Sequence, residues 1–493
     1  MLNIRFILKM LGTMFLIETI FMLLASLVAL HYGDGDLPPF LISSAILFTV
    51  GATFFTLGRK ADEHSAGYRE GMLVVTLTWA SLSFLGMLPF YIGGYISSIP
   101  DAYFETMSGY TTTGASILTD IESLPHGILF WRSLLQWQGG IGVVVFTVAL
   151  LPLFGGGASQ MFEAETTGTG IGHERFRPRV TQVAKRLSGV YFILTAVIAL
   201  LLWLGPMNLF DAINHGLTTV STGGYSTKNN SIAHWDSAYI EYIEILFMFV
   251  GSINVTLLYF LILKASPHKI LHDEELRSFT LLILAAAAIT TLWLLAHRSP
   301  GAPLDWATIE SAIRRGTFQV MAISSSSGFM TDDYLPWGAF FWMLVLILMF
   351  IGGCSGSTSG GFKAGRFVIV SKHLSNVFNK QMHPNAILHV RMSGHVITAD
   401  NVHRCLAFAF IYIALIMLGS LALAFNGATF DEALAASVSA ISNIGPGLGR
   451  QGPASNYADM PAASKWILSF LMMTGRLELF TVLTLLQPRF WKN

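Results

Sequence analysis

Apolar residues run almost unbroken through long stretches of this chain, and polar residues collect in the short intervals between them. Residues 10–30 and 39–57 are each close to the ~20 apolar positions that cross a bilayer. Arg5 and Lys9 ahead of the first stretch give it the outline of a signal peptide. No small-residue cleavage site follows, and Glu18 interrupts the apolar run, so it reads as a retained span. Further spans are expected at 72–95, 128–154, 187–206, 238–263, 280–296, 336–353, 406–425 and 466–487, making ten.

Between some of these spans lie apolar segments too short to cross. Residues 103–107 form one, and it ends in Thr111-Thr112-Thr113-Gly114. A re-entrant segment closing in hydroxyl residues and glycine suggests backbone carbonyls turned toward an ion. The figure recurs as Ser221-Thr222-Gly223-Gly224, Ser326-Ser327-Gly328-Phe329 and Asn443-Ile444-Gly445-Pro446, with Gly114, Gly223, Gly328 and Gly445 spaced by 109, 105 and 117 residues. Four copies of span, half-helix, loop and span imply four units around one axis. The expected fold class is therefore an all-α polytopic membrane protein. Two N-terminal helices (1–58) precede pore repeats at 70–155, 182–264, 278–375 and 404–488, the third having an inner helix that breaks and resumes near Phe362.

Composition agrees: of 493 residues, 53% are hydrophobic and 12% charged. The net charge of zero gives no electrostatic basis for a nucleic-acid partner. Two cysteines, Cys354 and Cys405, build neither a disulfide framework nor a metal site. Of 29 lysines and arginines, 21 fall in intervals the topology assigns to one side, among them Arg175, Arg177, Arg179, Lys185 and Arg186. By the positive-inside rule that side is the cytoplasm, and both termini lie there. No cytoplasmic interval is long enough for a nucleotide-binding domain, so no nucleotide site is expected on this chain.

Dehydrating a monovalent cation requires substitutes for its water shell, and rings of carbonyl dipoles supply them. The layers are expected from Thr112, Thr113 and Gly114; Ser221, Thr222 and Gly223; Ser326, Ser327 and Gly328; and Asn443, Ile444 and Gly445. Because main-chain oxygens coordinate, Ile444 can stand where other loops carry hydroxyl residues. Each half-helix would aim the negative end of its dipole at the axis. Asp101, Asp211 and Asp431 stand at three outer starts as expected caps, while the third has Arg314 and Arg315.

Below the loops, Gly352-Gly353-Cys354-Ser355-Gly356-Ser357-Thr358-Ser359-Gly360-Gly361 interrupts an apolar helix. Each interior glycine costs ~1 kcal/mol relative to alanine, so five should melt the helix locally. Irregular backbone at that depth must line a wet cavity or be buried in protein, which makes the stretch a gate or a kink. It is no Walker A loop, since Phe362 precedes Lys363 and no strand leads into it. Arg476 lies mid-span, where a charge costs ~2.5 kcal/mol or more, and must face water or protein. Glu478 stands about 200° round a regular helix from it and cannot pair with it; Glu18 is another possible partner. Gly139-Gly140 and Gly251, at equivalent points of other inner helices, suggest close packing, and Gly168-x-Gly170-x-Gly172 a flexible turn.

The four filters and the glycine-rich break resemble the superfamily of potassium transporters that contains the TrkH, KtrB and plant HKT proteins, over essentially the whole chain. The two extra N-terminal helices make the TrkH family the nearest. The resemblance implies a potassium-selective uptake protein of the bacterial inner membrane, with potassium as transported substrate. It implies a homodimer with one pore per protomer and a cytoplasmic TrkA-type NAD/ATP-binding regulatory subunit. It also implies that residues 352–361 and Arg476 together bar the pore below the filter, and that Gly114 favours potassium over sodium. The alternatives are a sodium or unselective monovalent-cation transporter, or a membrane sensor or enzyme. Convergent polar groups for catalysis are missing from the inner helices, so an enzyme is not expected.

Overall fold

The computed structural model describes residues 2–61, 67–150, 180–298 and 304–492. Gly168, Gly170, Gly172, Arg175, Arg177, Arg179 and the end of the first repeat at 151–155 lie outside the described residues.

The first helix, Ile4–Tyr32, stops at Gly33, whose φ of 72° suits glycine. The chain then returns as Leu37–Gly58. Glycines form the seam between the two. A Cβ on Gly12 would stand 2.8 Å from the Gly51 carbonyl oxygen, and one on Gly58 2.6 Å from that of Arg5. Small residues thus let two apolar backbones meet where no hydrophobic driving force distinguishes neighbour from lipid.

Among the described residues six helices are long and apolar enough to cross a membrane: Ile4–Tyr32, Leu37–Gly58, Tyr68–Ile92, Lys185–Trp203, Glu274–Ala296 and Ala399–Phe425. His126–Leu150 adds 25 residues of helix. Two expected straight spans are bent pairs. Ala238–Gly251 turns by 109° into Val255–Ile262, and Ala462–Arg476 turns by 120° into Leu479–Leu485. At the first break the Asn254 side chain accepts the Thr256 amide at 2.8 Å and starts a new helix. At the second, Glu478 takes a φ of 62°, which no helix continues through.

The expected break near Phe362 falls between Ala339–Ile351 and Ala364–Met382. Phe362 donates its amide to the Phe350 carbonyl at 3.0 Å and Lys363 to that of Ile351 at 2.9 Å. Residues 352–361 are thus a closed excursion from a helix whose two parts stay tied at its base. A two-stranded hairpin, Arg391–Met392 with His395–Val396, is a small departure from an all-helical chain.

Candidate functional site

Four half-helices carry the loops: Ile99–Tyr110, Leu209–Val220, Trp306–Ser324 and Phe430–Ser442. The backbone leaves each in the same way. Thr112, Thr222, Ser326 and Asn443 take φ between 51° and 58°. Two residues later Gly114, Gly224, Gly328 and Gly445 take φ of 81°, 78°, 68° and 103°. The position equivalent to Gly114 in the second loop is therefore Gly224, one residue beyond the Gly223 that sequence spacing singled out. Two adjacent glycines left that register open; the φ value closes it.

Each of these glycines abuts the next loop. A Cβ on Gly114 would strike the carbonyl oxygen of Gly223, one on Gly224 that of Ser327, and one on Gly328 that of Ile444. A Cβ on Gly445 would stand 2.6 Å from the Thr113 carbonyl oxygen, which closes the circle. The loops thus follow one another in cyclic order, with Thr113, Gly223, Ser327 and Ile444 at equivalent positions. Asn443 donates to the Thr113 hydroxyl at 3.1 Å and ties the fourth loop to the first.

Side chains behind the ring hold it. Gln136 donates to the Gly223 carbonyl at 2.7 Å and accepts the Tyr225 amide at 3.0 Å. The Tyr457 hydroxyl donates to the Gly445 carbonyl at 2.7 Å. Glu105 and Arg132, both almost fully buried, form an ion pair at 2.9 Å, and Glu105 also accepts the Ile117 amide at 2.9 Å. A buried charge must be paired and hydrogen-bonded, and this one is. Sequence reading passed over Gln136, Glu105 and Arg132; an arginine inside an apolar span was the available signal.

At the N-terminal starts of the half-helices the expected aspartate caps are corrected. Asn208 accepts the Asp211 amide at 2.8 Å, Asp305 accepts the Thr308 amide at 2.8 Å, and Thr429 with Glu432 forms a capping box. Asp101 and Asp211 lie inside the first turn, where they pair with Lys465 at 2.6 Å and Lys228 at 3.5 Å. The third half-helix begins earlier, so Arg314 and Arg315 fall in its middle. Arg314 pairs with Glu241 at 2.7 Å and Glu310 at 2.8 Å, and Arg315 pairs with Asp332.

The glycine-rich excursion reaches the underside of this ring. Gly360 donates its amide to the Ser326 hydroxyl at 2.7 Å. The Thr358 hydroxyl lies 3.1 Å from the carbonyls of both Val220 and Gly251. Arg476 is buried and donates to the Thr358 carbonyl at 2.5 Å and the Gly139 carbonyl at 3.1 Å. Neither Glu18 nor Glu478 is its partner in these bonds. Glu18 accepts from Tyr110 at 2.6 Å, and Glu478 pairs with Arg366 at 2.8 Å. Gly139 and Gly251 do serve close packing: a Cβ on Gly139 would strike the Tyr110 carbonyl, and one on Gly251 would come within 3.0 Å of Thr222. At its flank, the excursion is held by Glu275, which accepts the Ser355 amide at 2.5 Å and the Gly365 amide at 2.8 Å.

Fold and site together define a class: an α-helical polytopic membrane protein built around four half-helix loops. A family model described as TrkH, cation transport protein, matches residues 38–492. Curated relatives include the Trk system potassium uptake proteins TrkH of Salmonella typhimurium and of Escherichia coli K12. Each is 35% identical over 492 residues, covering 100% of both chains. A crystal structure of the potassium transporter TrkH from Vibrio parahaemolyticus superposes with a TM-score of 0.90 at 33% identity, again covering 100% of both chains. The chain belongs to the TrkH family of cation transport proteins, which are transporters and not enzymes.

Proposed function

We propose that this protein takes up potassium across the inner membrane through a pore along the axis of the four loops. The observation that carries the reading is the cyclic contact of Gly114, Gly224, Gly328 and Gly445 with the preceding-residue carbonyl of the next loop. Carbonyls held at four equivalent points replace the hydration shell of a bare cation without a full charge that would trap it. The filter layers are drawn from Thr112, Thr113 and Gly114; Thr222, Gly223 and Gly224; Ser326, Ser327 and Gly328; and Asn443, Ile444 and Gly445. The names of the full-length relatives support potassium as the ion.

Residues 352–361 and Arg476 form the gate. The loop lies against Ser326, Val220 and Gly251, and Arg476 adds a positive charge that repels a descending cation. In this reading four repeats surround the pore and both termini lie in the cytoplasm. A homodimer in the lipid bilayer and a cytoplasmic TrkA-type nucleotide-binding subunit complete the system. The test is uptake into liposomes containing this polypeptide alone. Rubidium should enter in preference to sodium, and Gly114→Ser should lower that preference. Equal uptake of both ions by the unmodified protein would reject the reading.

A further inference from the structure

On each half-helix one charged residue keeps the same register to the loop. Asp101, Asp211, Arg315 and Glu432 each stand thirteen residues before Gly114, Gly224, Gly328 and Gly445. All four are ion-paired: with Lys465, Lys228, Asp332 and Arg450. In the second, third and fourth repeats the partner lies four or five residues after the glycine, on the limb by which the loop leaves the axis. In the first, Lys465 comes from Ala462–Arg476 of the fourth repeat and also donates to the Ala458 carbonyl at 2.8 Å. The third pair alone has its polarity reversed, with the cation on the half-helix. A role in attracting ions to the mouth would require one sign at all four positions. A role in holding the limb requires only that opposite signs meet.

A second rung, four residues further along three of the half-helices, points the same way. Glu105, His215 and Gln319 are each buried to within 1%. Glu105 accepts the Ile117 amide at 2.9 Å, and His215 meets the Ser226 hydroxyl at 3.0 Å. Gln319 donates to the Asp332 carbonyl at 2.9 Å. Each reaches the outgoing limb of its own loop. In the third repeat both rungs converge on Asp332, from Arg315 to its carboxylate and from Gln319 to its carbonyl.

We infer that these ion pairs, Arg315–Asp332 foremost, are positioning residues that brace the outgoing limbs of the second, third and fourth filter loops and so set ion discrimination, through pairing and not through the sign of charge at the mouth. The inference rests on the filter reading above. A limb free to shift would let the carbonyl ring adapt to a smaller ion, so the loss appears in the rubidium-to-sodium ratio. Altered charge at the mouth changes the supply of both cations together and leaves that ratio unmoved.

The experiment measures rubidium and sodium uptake by the full-length protein in liposomes. Arg315→Asp and Asp332→Lys singly should each lower the ratio by roughly threefold, the size expected when a partly exposed ion pair is lost. The double variant, which has the polarity of the second repeat, should restore it, and Arg315→Lys should keep it. Should a reversal variant fail to reach the membrane, Asp332→Asn removes the charge and keeps the shape, and should lower the ratio likewise. Unchanged ratios in the single variants, or a double variant no better than the singles while total uptake is normal, would overturn the inference. Gly114→Ser in the same assay separates the two claims: if it shifts the ratio and the Arg315 variants do not, the brace fails and the filter stands.

Discussion

Gly224 holds a φ of 78°, where an L side chain costs roughly 1–2 kcal/mol, and a Cβ there would strike the Ser327 carbonyl. Gly223 has no such angle, and its added Cβ would meet only the end of the Gln136 side chain. Gly224→Ala should therefore reduce rubidium uptake by at least about tenfold, while Gly223→Ala should cost less. Equal loss in both glycine variants would return the register to Gly223. Arg476→Ala should raise uptake in liposomes without any partner, because it removes both a positive charge and the bond to the Thr358 carbonyl. A well-folded, silent variant would make Arg476 structural. The four loop motifs were legible in the sequence; that the Ile444 carbonyl stands at a position equivalent to those of Thr113, Gly223 and Ser327 is a finding of the structure. What the sequence withheld were contacts between distant positions, such as Arg366 with Glu478, 112 residues apart, and Gln136 with Gly223, 87 apart.

At the scale of elements, the glycine-rich excursion is short and irregular, yet its flank is fixed by one carboxylate. Glu275→Ala would free the amides of Ser355 and Gly365 together and should raise basal flux. Unchanged basal flux in the same liposomes would separate Glu275 from the proposed gate. At the turn after the first helix, Asp34 accepts the His126 amide at 3.0 Å, and the His126 ring meets the same oxygen at 2.6 Å. These bonds hold the Asp34 carboxyl below its ordinary value, the amide being the larger cause. A depressed carboxylate stabilises the fold above the unfolded-state value and loses that contribution as pH falls through the folded one. Asp34→Asn should thus lower thermal stability near neutral pH and make no difference in acid below the depressed value. The broken third inner helix was visible as a run of glycines, whereas the breaks at Asn254 and Glu478 were not. Those two depend on a side-chain cap and a single backbone angle, and hydropathy reports neither.

For the molecule as a whole, the four loops matter because they close on one another. Their order around the axis, first to second to third to fourth and back, is written in glycine-to-carbonyl contacts that no loop could make alone. The spacing of the four loops was legible in the sequence, whereas their order around the axis was not. The reversed pair Arg315–Asp332 was legible only as an anomaly, since its meaning depends on which residue it faces. The most direct measurement is anomalous diffraction from crystals grown with rubidium or thallium in place of potassium. The account predicts peaks on the axis within coordinating distance of the Thr113, Gly223, Ser327 and Ile444 carbonyls. Crystals of transport-competent protein with no heavy-ion density on that axis, and with ions bound elsewhere in the membrane region, would contradict it.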